Sequence, residues 1–276
     1  MRRLEGRVAL VTGAGRGQGR AHALALAEEG ASIVVCDVPG VIPSVRYPLS
    51  TAEDLAETAR QLEAAGTTCL ALAADIRSRS DMERAAAEAI AAFGRVDVVV
   101  ANAAVCGFSP FEELSDQQWD DMIGTNLTGT FHTVQAVAGH MKHRGYGRII
   151  VTSSMSGRSG NQNLAHYSAS KFGVIGMVKS VALELAASGV TANVVCPSTT
   201  STPMIHNDEW YGIFRPDLDH PTRDDVEPTF AELNPLGVPW LPPEAVARAV
   251  VYLAADEGFT TGSVLEVGLG LSAFKP

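Results

Sequence analysis

Three polar residues between Gly147 and Gly176 have the types and spacing to move a proton. Ser154 closes the apolar run Ile149-Ile150-Val151, Tyr167 follows thirteen residues on, and Lys171 lies four residues beyond Tyr167. Residues at i and i+4 share one face of a helix, and the small-residue pattern ASASKFGVIGMVKSVALELA around the pair reads as helical. A free phenol has a pKa of about 10 and a free ammonium about 10.4, so a phenol alone is a poor base at neutral pH. An adjacent ammonium favours the phenolate and is expected to bring Tyr167 toward the range of a general acid or base. Ser154, at a strand end facing the same cleft, is placed to hydrogen-bond a substrate oxygen meanwhile. The pair is equally an ordinary helix-surface contact unless the chain also builds a site for a hydride acceptor.

Such a site is suggested near the beginning. The apolar strand RVALVT runs into GAGRGQGRAHALALAEEG, with Gly13, Gly17 and Gly19 at the start of an alanine- and leucine-faced helix. Glycines there let backbone approach a ligand, and the free N–H groups and helix dipole attract phosphate. A glycine pattern alone is also consistent with a tight turn. Here the following strand ASIVVCD ends in Asp37, about 20 residues on, where a carboxylate reaches ribose hydroxyls in a dinucleotide site. Asp37 favours the free diol of NAD over the 2′-phosphate of NADP. Arg16 complicates that choice, because a base beside the second glycine is able to pair with a 2′-phosphate.

These segments sit in a chain of 276 residues, 46% hydrophobic and 6% aromatic, with no linker-like tract, as one large α/β core would have. A formal charge of −10, from 21 basic and 31 acidic residues, argues against nucleic acid or an anionic membrane as partner. No apolar run approaches the length of a membrane span, and the N-terminal residues lack the apolar core of a secretory signal. Cys36, Cys69, Cys106 and Cys196 are far apart and read as reduced residues of a cytoplasmic protein, and the seven histidines form no HExxH, so no catalytic metal is expected.

Residues 38–51 carry Pro39, Pro43 and Pro48 and little periodicity, which predicts an ordered loop longer than usual. Starting beside Asp37, it is placed to cover the adenine with Val41, Ile42, Val45, Tyr47 and Leu49. Thr51 and Asp54 then read as a capped helix start. Strand TCLALAA ends at Asp75, positioned for an adenine hydrogen bond, and VDVVVANAA breaks at Asn102-Ala103-Ala104, where backbone would pass close to a cofactor. A helical region over Ser115–Arg144 is interrupted near Gly124–Gly129. Asn126 there is either a local kink bonding its own backbone or a polar link holding a water beside Lys171. TANVVCP and SVLEVG complete seven strands alternating with helices, hence a parallel sheet. From Pro197 to Leu241 periodicity lapses, and its aromatic content predicts an ordered substrate lid over 198–241. Val105, Phe108, Met155, Met204, Ile205, Trp210 and Phe214 fall at strand carboxyl ends, where ligands bind in such folds. A hydrophobic secondary alcohol, cyclic or terpenoid-like, is the substrate they favour.

TGAGRGQG, Asp75, the ANAA segment, Asn126, Ser154, YSASK at 167–171, and Pro197 with Thr202 occur in an order that resembles the short-chain dehydrogenase/reductase family over essentially the whole chain. The resemblance implies a single Rossmann-type doubly wound domain, a seven-stranded parallel sheet with helices on both faces, and a homotetramer. It implies a catalytic tetrad of Asn126, Ser154, Tyr167 and Lys171, with the tyrosine as acid/base and the lysine on the nicotinamide ribose. The NAD contacts it implies are Gly13, Arg16, Gly17, Gln18, Gly19, Asp37, Val38, Asp75, Ile76, Asn102, Ala103, Ala104, Tyr167, Lys171, Pro197, Thr199, Thr202 and Met204. Ser198 stands where the family usually has glycine, and the 38–51 loop is long. Both features resemble the carveol dehydrogenase-like, mycofactocin-associated subgroup, in which that loop encloses tightly held NAD. Slow NAD release, and turnover with an external electron acceptor, would follow.

Three other readings stand beside hydride transfer with NAD: an NADP-dependent carbonyl reductase using Arg16, a non-catalytic NAD-binding regulator, and a serine hydrolase using Ser154 and His166. The last lacks a GxSxG elbow.

Overall fold

The computed structural model describes residues 2–38 and 40–274; the expectation for Pro39 lies outside them. Seven strands form one parallel sheet: β1 (Val8–Thr12), β2 (Ser32–Asp37), β3 (Cys69–Ala73), β4 (Val98–Ala101), β5 (Gly147–Thr152), β6 (Val190–Pro197) and β7 (Val264–Val267), in the order β3-β2-β1-β4-β5-β6-β7. β1, β4, β5 and β6 are buried along their whole length, which is why they read as unbroken apolar runs instead of alternating ones.

Side chains on the two sheet faces enter separate cores. Leu10, Val34 and Val99 meet α3 (Arg79–Phe93), α5 (Thr130–Arg144) and α6 (Ala165–Leu185). Ala9, Val11, Ile33 and Val35 meet α1 (Gly17–Glu28), α2 (Ala52–Ala64) and α9 (Pro243–Ala255). The Rossmann-type doubly wound architecture predicted above is therefore present. Strand order reverses between β1 and β4, so a crevice opens at their carboxyl ends.

Local signals act where expected. Thr51 and Asp54 form a reciprocal capping box on α2. Residues 116–144 are α4 (Asp116–Ile123) and α5 joined by a π-helical turn, Gly124–Gly129. The 198–241 segment is less irregular than its sequence suggests: it contains α7 (Asp208–Phe214) and α8 (Arg223–Leu233). α8 is capped by Thr222 and Asp225, and Pro228 inside it masks the helix in a periodicity reading. Among the described residues no helix is long and apolar enough to cross a membrane, and all four cysteines are free.

Candidate active site

At the carboxyl end of β1 the chain turns so tightly that side chains are excluded. Gly13 has φ +66°, and a Cβ on it would lie 2.7 Å from the Ala103 Cα; one on Gly19 would lie 2.0 Å from the Gly13 carbonyl oxygen. Thr12 ties the ends of β1 and β4 together. Its Oγ1 accepts from the N–H groups of Asn102 (3.1 Å) and Ala103 (3.3 Å), while Asn102 Nδ2 donates to the Thr12 carbonyl at 3.1 Å. Behind the turn, the carbonyls of Ala14 and Gly15 accept from the buried Thr58 hydroxyl, and Arg20 adds a donor to Gly15. Carbonyls thus face the protein. The first turn of α1 has neither a side-chain cap nor an acidic residue, so its free N–H groups and positive dipole end are left for an anion.

Asp37 ends β2 with its carboxylate in the cavity wall, Oδ2 accepting from Gly15 N–H and Oδ1 from Val38 N–H, each at 2.8 Å. Burial raises its pKa, opposed by those two hydrogen bonds and by the charge of Arg16. Arg16 itself donates to the Pro48 carbonyl. One of its donors thus holds the 38–51 loop while the side chain still lines the cavity.

That loop closes one side of the cavity with Ile42, Tyr47, Leu49 and Ser50. Tyr47 Oη accepts from Cys106 N–H at 3.2 Å, and Ser44 N–H donates to Asp121 at 3.2 Å. Ile42 packs with Val105 and Met122, with Val45 and Leu49 against them, so the loop both packs on α4 and walls the cleft. Val41, expected in the cover, is 83% exposed and takes no part.

Of the predicted cofactor residues, Gly13, Arg16, Gly17, Gln18, Gly19, Asp37, Val38, Asp75, Ile76, Asn102, Ala103, Ala104, Tyr167, Lys171, Thr202 and Met204 line this one cavity. Pro197 and Thr199 do not. Pro197 is buried at the end of β6, and Thr199 uses its carbonyl to accept from Leu241 N–H. The Asp75 carboxylate is forked by Arg77 at 2.7–3.1 Å and accepts from its N–H as well, so much of its capacity is already used. Thr125, Thr152, Ser153 and Pro203 also line the cavity and were not foreseen, although Thr152 and Ser153 directly precede Ser154.

Lys171 and Tyr167 meet at the inner end. Lys171, 2% exposed, donates from Nζ to the Thr152 carbonyl at 2.9 Å and lies 5.7 Å from the Tyr167 ring centroid. Ser153 Oγ donates to the Lys171 carbonyl, and Gly157 lets the β5–α6 turn sit there, since a Cβ would fall 2.7 Å from that carbonyl oxygen. Ser154 Oγ accepts from Ser156 N–H at 3.0 Å and lies near the Tyr167 phenol, whose burial-raised pKa it lowers. Among the described residues no hydrogen bond joins Ser154 to His166, and the buried His166 Nδ1 has no partner.

Two expectations about this group need correction. Lys171 does not govern the Tyr167 phenol: burial dominates and raises its pKa, with the Ser154 hydroxyl opposing. Burial likewise brings Lys171 down to about 8, with Cys106 and Cys196 opposing. The Asn126 amide does not bond its own backbone and is turned to the β4 exit. Its Nδ2 donates to Val105 C=O and its Oδ1 accepts from Val105 N–H, both at 2.8 Å, which fixes the segment leaving β4; Nδ2 also lies 3.3 Å from Ser170 Oγ on α6.

Beyond Tyr167 the wall is aromatic. Trp210 packs edge-on to Phe108 and stacked on Phe214, and Phe230 joins Phe214 and Trp240, with Ile205, Met204 and Tyr167 at the margin. Val105 and Met204 reach the cavity, whereas Trp210 and Phe230 are buried in the lid's own core. Met155 belongs to the core between the sheet and α6, not to the substrate wall.

A model of short chain dehydrogenases matches residues 7–210. (-)-trans-Carveol dehydrogenase of Rhodococcus erythropolis is 41% identical over 275 residues, 98% of this chain and 99% of the relative. Carveol dehydrogenase from Mycobacterium avium, solved in complex with NAD, superposes with a TM-score of 0.96 at 40% identity, covering 98% and 99% of the two chains. A short chain dehydrogenase from Mycobacterium paratuberculosis bound to NAD gives 0.89 at 34% identity, again covering 98% and 99%.

Proposed function

As this chain belongs to the short chain dehydrogenase family, we propose that it interconverts a hydrophobic secondary alcohol, terpenoid or similarly cyclic, with its ketone, using NAD. The observation that carries this reading is a single cavity joining a glycine turn and the Asp37 carboxylate at one end to Tyr167 and Lys171 at the other. The cradle fits a dinucleotide: positions where a Cβ would strike backbone surround the uncapped start of α1, and Asp37 presents a carboxylate to a ribose diol. That carboxylate, in the cavity wall, favours the free diol of NAD over the 2′-phosphate of NADP.

Gly13, Gly17, Gln18 and Gly19 would hold the pyrophosphate, Asp37 and Val38 the adenosine, and Lys171 the second ribose. Bound there, the nicotinamide supplies the hydride acceptor and, when oxidised, a positive charge near Tyr167. Tyr167 Oη, as the phenolate that this positive charge and the Lys171 ammonium favour, would take the hydroxyl proton of the alcohol, and Ser154 would hold that oxygen by hydrogen bonding. Lys171 has one donor on Thr152, which leaves two for the ribose and keeps the ammonium beside the phenol. Asn126 positions Val105 and the β4 exit, and so acts at one remove from the reacting atoms. Apolar Val105 and Met204, which line the cavity, select a hydrophobic substrate.

The 38–51 loop is read as a cover that slows NAD release, so that turnover draws on an external electron acceptor such as that of the mycofactocin-associated subgroup. Exposed Phe172 and Leu183 on α6 and Phe131 on α5 are read as the apolar faces on which a homotetramer packs. The test is to denature protein purified without nucleotide, assay the supernatant for NAD, and follow turnover of a panel of alcohols with NAD, NADP or an artificial acceptor. Preference for polyols or for NADP would overturn the reading.

A further inference from the structure

A second, shallower groove lies beside the cofactor cavity, lined by Arg46, Phe108, Ser109, Glu209 and Ile213 among others. The partition between the two is the 46–47 stretch of the cover, with Tyr47 facing the cavity and Arg46 the groove. Across the groove stands Glu209, in the first turn of α7 and hence part of the lid.

Glu209 is unusual for a helix-surface acid. Its side chain is only 10% exposed, Oε1 lies 3.9 Å from Arg46 Nε, and Oε2 is buried without a hydrogen-bond partner. Phe108 lines the same groove, and burial raises the carboxyl's pKa against the pull of Arg46. One buried carboxylate of the lid therefore faces the cover through Arg46, in a groove whose floor includes Phe108 of the β4 exit. A buried, incompletely paired carboxylate costs stability that an apolar side chain of similar size would not. Packing alone does not account for it.

Arg46 is 70% exposed, and such a pair on a free surface would be weak. Here the loop presenting it is already fixed on either side, by Ser44 N–H on Asp121, Tyr47 on Cys106 and Pro48 on Arg16. Little further ordering is needed to bring the charges together. We propose that Glu209 is the positioning residue through which the substrate lid latches the cofactor cover, so that nucleotide leaves only when the lid releases Arg46. The proposal rests on the reading that the cavity takes NAD.

Stopped-flow release of NADH into excess NAD, followed by nicotinamide fluorescence, tests it on the wild-type protein, Glu209→Gln, Arg46→Ala and the double variant. Each single substitution is expected to speed release about fivefold, and the double variant no more than either single. Single-turnover rates on pre-bound NAD and melting temperatures should stay near wild type, which separates the latch from a general loss of fold. Unchanged release in Glu209→Gln, or independent additive effects, overturns the proposal. Arg46 lies on the surface, so Arg46→Ala carries the test if the Glu209 variant misfolds. Should the wild-type protein bind no NADH, the cofactor reading fails on its own. Hydrogen exchange over residues 42–50 then decides the latch, faster exchange in Glu209→Gln supporting it and equal exchange refuting it.

Discussion

Around Gly13 and Asp37 the cleft is walled by backbone and short polar side chains, with Thr12, Asn102 and Asp37 held at 2.8–3.3 Å to main-chain groups. Beyond Tyr167 it is backed by the buried core of the lid, rings at centroid separations of 4.4–6.3 Å drawn from Phe108, α7, α8 and Trp240. Directional bonds to backbone fix a ligand's position and tolerate almost no change, because any added atom meets main chain. Ring packing fixes shape, and a neighbour can shift into a modest change at a modest cost. A shared scaffold can thus keep the chemistry constant while its substrate wall varies.

The largest effect belongs at the junction of the halves. Tyr167→Phe should lower alcohol oxidation about a hundredfold to ten-thousandfold while NADH affinity, read by fluorescence titration, stays within about twofold. Retained turnover would remove Tyr167 from the proton's path. In the polar half, Gly19→Ala places a methyl 2.0 Å from the Gly13 carbonyl oxygen and should weaken NADH binding roughly 100-fold. Near-normal binding would show that this turn yields as the aromatic wall does. In the aromatic half, Phe214→Ala removes the ring stacked on Trp210 and should raise substrate KM about tenfold, with NADH affinity almost unchanged. Equal losses of both would mean that the halves are not separable.

Acid stability tests the polar half by itself. His22, in α1 of the polar half, is wholly buried, and desolvation takes its pKa from 6.5 to about 3. Between those values the unfolded chain binds a proton that the folded chain refuses, so stability is full above pH 6.5 and falls as pH is lowered toward 3. The slope is about 1.4 kcal/mol per pH unit for this one group. Denaturant titrations from pH 7 to 4 should show that loss, and His22→Leu should lack it.

The glycine turn, Asp37, the Thr51–Asp54 cap and the Tyr167–Lys171 pair were legible because each depends on residues close in sequence or on one strand end. Helix α8 was hidden by Pro228, and the use of Asn126 by its separation of 21 positions from Val105. The phenol illustrates a further limit. Proximity of Lys171 suggested a lowered pKa, yet burial, a property of everything packed around Tyr167, sets the direction.

Sequence by itself determined the parallel sheet, the crevice and the types of groups at its two ends, since hydrophobic runs, glycine turns and acids at strand ends act through the backbone over a few residues. Tertiary packing decided where side chains from distant segments direct their bonds. Arg16 reaches Pro48, Asn126 Val105, and Glu209 Arg46 across the groove. A long side chain spends its charge or amide on whichever partner desolvation leaves nearest, and that partner is set by three-dimensional packing, not by spacing along the chain.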